Sequence, residues 1–175
     1  MARAELPDGP RRNAMRCLFL LGLAVLVLGA GYAWASPYDD GIAALDRGDN
    51  AAAFALLRPL AALGDANAQF RLSLMYGAGR GVPKNDAEAL QWLRLAAQRG
   101  SVEAQSNLGV AYGKGRGVVQ DEVRAYAWFS ISASAGNPDA ASNRDVVARR
   151  MTPLQIAQAQ QWALLCLQRQ LQSCN

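Results

Sequence analysis

Residues Gly64–Arg99, GDANAQFRLSLMYGAGRGVPKNDAEALQWLRLAAQR, align without a gap on Gly100–Ala135, GSVEAQSNLGVAYGKGRGVVQDEVRAYAWFSISASA, and 13 of the 36 positions are identical. Among the identities are Gly64/Gly100, Ala68/Ala104, Leu72/Leu108, Tyr76/Tyr112, Gly79/Gly115, Gly81/Gly117, Ala89/Ala125 and Trp92/Trp128. A period of this length marks stacked supersecondary units. A third copy starts at Gly136 and keeps Ala140 before it diverges.

Each copy reads as two helices. Ala68, Leu72 and Tyr76 recur every four residues, and Ala89, Trp92 and Ala96 recur at three and four, so each helix carries one buried stripe. Asn85 with Glu88 makes an N-x-x-E start, and Thr152, Pro153 and Gln155 form a capping box with proline at the first helical position. Gly64, Gly100 and Gly136 stand where one unit turns into the next, a place for left-handed backbone. A single unit cannot bury both stripes, so the units must stack. In the flanks, a helix is expected from Ser36-Pro37 to Asp46, with a partner over 51–63 that kinks or breaks early at Pro59. Helices over 138–150 and from Pro153 to about Gln170 form the last expected pair.

The pattern A-x-x-x-L-x-x-x-Y-G-x-G-x-G-V-x-x-[ND]-x-x-x-A-x-x-W-x-x-x-A-A-x-x-G, from Ala68 to Gly100 and with one substitution from Ala104 to Gly136, resembles the Sel-1-like repeat, a relative of the tetratricopeptide repeat. The resemblance covers roughly residues 38–150, and the closing segment Arg150–Gln160 is similar to the tail that follows these repeats in many bacterial members. Val119, Ser132 and Ser73 depart from it at single packing positions. The resemblance implies an all-α, right-handed superhelical solenoid of about four helix pairs. It also implies an adaptor or regulator without catalytic residues, and exported bacterial members include binding proteins and modulators of envelope signalling. The expected organisation is a targeting segment over 1–35, a capping helix pair over 36–63, repeats over 64–99 and 100–135, and a capping pair with tail over 136–175.

The targeting segment is read from charge and hydropathy. Arg3, Arg11, Arg12 and Arg16 precede an uncharged run from Cys17 to Ala35 that ends in Ala33-Trp34-Ala35, the A-x-A spacing of a signal-peptidase site. Its unbroken aliphatic part, Leu18 to Leu28, falls short of the roughly 20 residues that span a bilayer. Cleavage after Ala35 is the preferred reading. An uncleaved anchor facing the periplasm is the alternative, and Met15 is an alternative start to Met1. Cys17 precedes the apolar run, which argues against a lipoprotein cysteine. Without these residues Lys plus Arg falls from 18 to 14 and Asp plus Glu from 14 to 12, so the net charge drops from +4 to +2. The basic pI of about 9.3 is therefore partly a property of the targeting segment, and a nucleic-acid partner loses its main support.

The chain holds no histidine, which excludes Ser/His and Cys/His catalysis and His-containing zinc sites. The loops Gly77–Gly81 and Gly113–Gly117 lack both the spacing and the strand of a phosphate-binding loop, and they recur at one register. They are expected to be structural turns, with Arg80 and Arg116 solvated or paired with an acidic neighbour. Asp86, Glu88, Asp121 and Glu122 fall at helix starts, where capping and the helix dipole account for them. Cys166 and Cys174 lie eight apart, about 12 Å along a continuous helix. A disulfide between them requires the helix to end soon after Arg169 and the chain to fold back; two free thiols, or a partner-linked cysteine, are the alternative.

The remaining candidate is a groove along the first helices. Stepping by 36 from Asn67 gives Glu103 and Asp139, and from Arg71 gives Asn107 and Asn143, two polar rows beside the packing stripe. These rows, around Met75 and Phe70, are the expected contact surface for a protein or peptide of the cell envelope. No small-molecule cofactor, metal or nucleic acid is expected, and the membrane is engaged only through an uncleaved N-terminus. A periplasmic regulator of a membrane signalling protein and a cell-wall-associated hydrolase are the alternatives.

Overall fold

The computed structural model describes residues 36–171 and Cys174, so the targeting segment expected over 1–35 lies outside the described residues. Among the described residues there are eight helices and no strand: α1 (Pro37–Asp46), α2 (Asn50–Ala62), α3 (Ala66–Ala78), α4 (Asp86–Gln98), α5 (Val102–Lys114), α6 (Glu122–Ser134), α7 (Pro138–Ala148) and α8 (Pro153–Gln168). The two aligned copies become α3–α4 and α5–α6. Each helix packs on the one before it and the one after it from α1 to α7, which makes an all-α repeat solenoid.

Local chemistry explains the helix ends. Asn85 Oδ1 accepts from the Ala87 and Glu88 amides, and Asp121 Oδ1 does the same for Arg124 one unit later. At α8 the Thr152 hydroxyl accepts from the Gln155 amide while the Gln155 side chain accepts from the Thr152 amide, a reciprocal box behind Pro153. Gly64, Gly100 and Gly136 have φ of 96°, 89° and 95°, the left-handed region where side chains are disfavoured.

Alanine is a main component of the core. Ala53, Ala68, Ala96, Ala104, Ala125, Ala140 and Ala159 are fully buried, so helices approach closely at every junction. Large side chains fill the rest: Trp128 is completely buried with its ring edge-on to Trp162, centroids 5.6 Å apart. Gln69 and Gln105 are also buried, and their Nε2 groups donate to the carbonyls of Ala61 and Ala97 at the end of the preceding unit.

Two expectations for the flanks need correction. Pro59 does not break α2, which continues to Ala62. Pro59 and Ala55, whose carbonyl loses its helical donor, are both exposed, so water can take the missing bond. The last two helices do not pair chiefly with each other, because both pack on α6. α7 buries only Ala140 and Val147, whereas Trp162 of α8 finds its apolar surface at Trp128.

The chain turns back after α8. Gln170 and Leu171 both adopt left-handed backbone, with φ of 50° and 64°, and the Leu171 amide donates to the Cys166 carbonyl at 2.8 Å. Cys166 and Cys174 are disulfide-bonded, with Cα atoms 5.5 Å apart, and both are buried in the core that contains Trp128.

Candidate functional site

Two hollows open along the first helices of the units. The larger, about 680 Å³, lies between α3 and α5 and is floored by Leu74, Leu90 and Val110, with Asn107, Lys84 and Arg116 at its edges. The smaller, about 230 Å³, lies between α1 and α3 and is walled by Ile42, Leu45, Leu74 and Met75, with Asp46, Arg71 and Arg80 around it. They are the same feature repeated. Arg71, Leu74, Met75 and Arg80 step by 36 to Asn107, Val110, Ala111 and Arg116, all of which line the larger hollow. Leu74 lines both, so the hollows lie on either side of one leucine, and together they are called the trough.

The sequence fixes this arrangement through the glycine loops. Gly79 and Gly115 end α3 and α5 in left-handed conformation, with φ of 67° and 65°. The next residue then donates its amide back into the helix, Arg80 to the Met75 carbonyl and Arg116 to the Ala111 carbonyl, each at 2.9 Å. Gly81 and Gly117 follow with φ of 72° and 69°, and they press the loop against the start of the preceding second helix, at the Asn50 and Asp86 carbonyls. Each arginine is therefore rooted at the same place in its unit.

The six predicted groove residues do not all reach the trough. Arg71 and Asn107 line it. Arg71 Nε donates to the Tyr38 hydroxyl at 3.4 Å, and the Asn107 amide donates to the Glu103 carbonyl at 2.8 Å. Asn67, Glu103 and Asp139 are exposed and line neither hollow, and Asn143 is half-buried and lines neither. Met75 forms wall while almost wholly buried, whereas Phe70 packs against the core. Sequence reasoning missed the aliphatic row Leu74 and Val110. It also read Arg80 and Arg116 as turn residues, although the strict 36-residue recurrence of Arg between two glycines was a signal that could have placed them.

Among the described residues no three His, Cys, Asp or Glu side chains converge as a metal site. The surface has the makings of a contact site: apolar floor, an edge where Lys84, Arg116, Arg71 and Arg80 outnumber Asp86 and Asp46, and backbone held by caps.

Comparison with known proteins matches this geometry to a family. The Sel1 repeat pattern matches residues 30–65, 66–101 and 102–137. The chain belongs to the Sel1 repeat family. The first match includes α1 and α2, so the pair expected to act as a cap carries the Sel1 pattern itself. The chain is similar to a protective antigen present in uropathogenic Escherichia coli strains, whose crystal structure displays an SLR fold: 29% identity, TM-score 0.74, over 79% of this chain and 30% of that one. It is also similar to a Sel1 repeat protein from Oxalobacter formigenes, with 31% identity and a TM-score of 0.56 over 59% of this chain and 42% of that one. This Sel1 chain thus spans less than half the length of either solved relative. No curated protein matches it.

Proposed function

We propose that this Sel1 repeat protein is a non-enzymatic scaffold that binds a protein or peptide in the bacterial cell envelope, using the trough along its first helices. The observation that carries the reading is the recurrence of one wall in two successive units, Leu74 with Arg80 and Val110 with Arg116. A catalytic pocket needs one unique constellation, whereas a surface for an elongated partner is served by repetition. Sel1 repeats generally mediate protein–protein interaction, which supports the same assignment. The basic and apolar N-terminal segment supports export, and so does a cysteine pair bonded as expected of an oxidising compartment.

The test is site-specific photocrosslinking in the envelope from Leu74 and Val110, with mass identification of captured proteins. A discrete partner captured from both positions and lost with Arg71→Ala plus Asn107→Ala is the expected result. Capture from a control position on α8 alone would remove the trough from consideration. Protein purified from the envelope and unfolded in urea should also show no reactive thiol at Cys166 or Cys174 until reductant is added.

A further inference from the structure

The positive charges of the trough differ in how they are satisfied. Lys84 is paired with Asp86 at 3.5 Å, and Arg71 leans on the Tyr38 hydroxyl. Arg80 and Arg116 are exposed, and among the described residues no carboxylate lies within 4.0 Å of either. Elsewhere on the molecule, three arginines are paired: Arg150 meets Glu122 at 2.9 Å, Arg144 meets Asp145 at 2.8 Å and Arg124 meets Asp121 at 3.5 Å. Arg80 and Arg116 edge the two hollows at equivalent positions of successive units. Glycines on both sides of each, held in left-handed backbone, fix the root from which each side chain extends.

We infer that Arg80 and Arg116 form a two-rung ladder that selects a peptide segment in which carboxylate side chains alternate with aliphatic ones. The inference rests on the trough being the binding surface and adds the chemistry of what it binds. Guanidinium groups hold carboxylates through paired N–H donors, and the rungs recur once per unit. The carboxylates they hold must therefore be separated by the spacing of adjacent units. Between the rungs the floor of Leu74 and Val110 takes aliphatic side chains, since leucine is 42% exposed at position 74 and has apolar area left to cover. A polyanion such as nucleic acid fits less well. It has no aliphatic side chains to cover that floor and would leave it wet.

The full chain should be titrated with fluorescein-labelled synthetic peptides of one length and one leucine pattern that carry glutamate, glutamine or lysine at the intervening positions. An oligothymidine is the polyanion control. The glutamate peptide should bind about tenfold more tightly than the glutamine peptide, and the margin should shrink at high salt because these charges are exposed. Arg80→Gln plus Arg116→Gln should abolish the margin, and Arg80→Glu plus Arg116→Glu should transfer the preference to the lysine peptide. Both residues are exposed, so helicity by circular dichroism should stay unchanged. Equal binding of glutamate and glutamine peptides would overturn the ladder while leaving a peptide-binding trough. Tighter binding of oligothymidine, a margin that survives Arg80→Gln plus Arg116→Gln, or no binding of any peptide would also overturn it. Photocrosslinking from Leu74 and Val110 reports separately on the broader reading.

Discussion

The repeat over 64–99 and the repeat over 100–135 share a frame and differ in what fills it. The shared part is backbone chemistry: matching left-handed glycines, matching caps, and a buried glutamine, Gln69 or Gln105, bonded to the last turn of the preceding unit. The differences come in compensating pairs. Where the first repeat has Ser73 facing a second helix that carries Leu93, the second has Gly109 and Phe129, and a Cβ at Gly109 would come within 2.8 Å of the Phe129 ring. Tyr76 is half-buried edge-on to Phe54, whereas Tyr112 is buried and its hydroxyl accepts from Arg94 and Arg124. Interior positions are thus constrained jointly, while trough positions such as Arg71/Asn107 and Leu74/Val110 vary without an interior partner to answer to.

Substitutions at equivalent positions break the comparison in graded steps. The largest effect is expected at the loop glycines. Gly81→Ala forces a left-handed alanine against the Asn50 carbonyl and should lower unfolding free energy by about 2–4 kcal/mol. Gly117→Ala meets the Asp86 carbonyl at 3.2 Å and should lose about half as much. Equal losses in urea unfolding would show that backbone angle alone sets the cost. Next comes the exchange of core pairs. Gly109→Ser should cost about 1–3 kcal/mol by overpacking, and adding Phe129→Leu should return most of it. If the double variant is as unstable as the sum of the singles, the two positions are not coupled. A smaller difference is expected at the tyrosines: Tyr112→Phe loses two long bonds from arginine, about 1 kcal/mol, whereas Tyr76→Phe should stay within about 0.5 kcal/mol. The smallest separates scaffold from surface. Leu74→Ser and Val110→Ser should leave the thermal midpoint within a few degrees, about what a loss below 1 kcal/mol produces, while each weakens capture of the partner.

Much of the frame was legible in the sequence because caps and glycines act locally. Asn85, Thr152 and Gly64 do what their neighbours along the chain require, and a 36-residue step finds them again. The trough was legible only in part. A step of 36 identifies equivalent residues but does not say how each helix is rotated, so Asn67, Glu103 and Asp139 were grouped with Arg71 and Asn107 although they line neither hollow. Arg80 and Arg116 were hidden for another reason: once the loop is explained as a turn, nothing in its sequence says which surface the turn borders. The packing of α8 on α6 depends on Trp162 reaching Trp128, a tertiary preference that neither segment encodes alone.

The glutamine joint has a consequence for the length of such proteins. Gln69 and Gln105 each reach a carbonyl only eight residues back, and that carbonyl belongs to the unit just completed. Every unit that ends like Ala97 therefore offers a socket that any unit beginning like Ala104-Gln105 can enter, whatever its trough residues are. At the third joint Ala141 replaces the glutamine, so the Ala133 carbonyl receives no such plug, yet α7 still packs on α6. A grammar of this kind lets a gene lengthen or shorten its product by whole units without redesigning a core. Growth by one unit would extend the row of hollows by one, whatever side chains that unit brings to it.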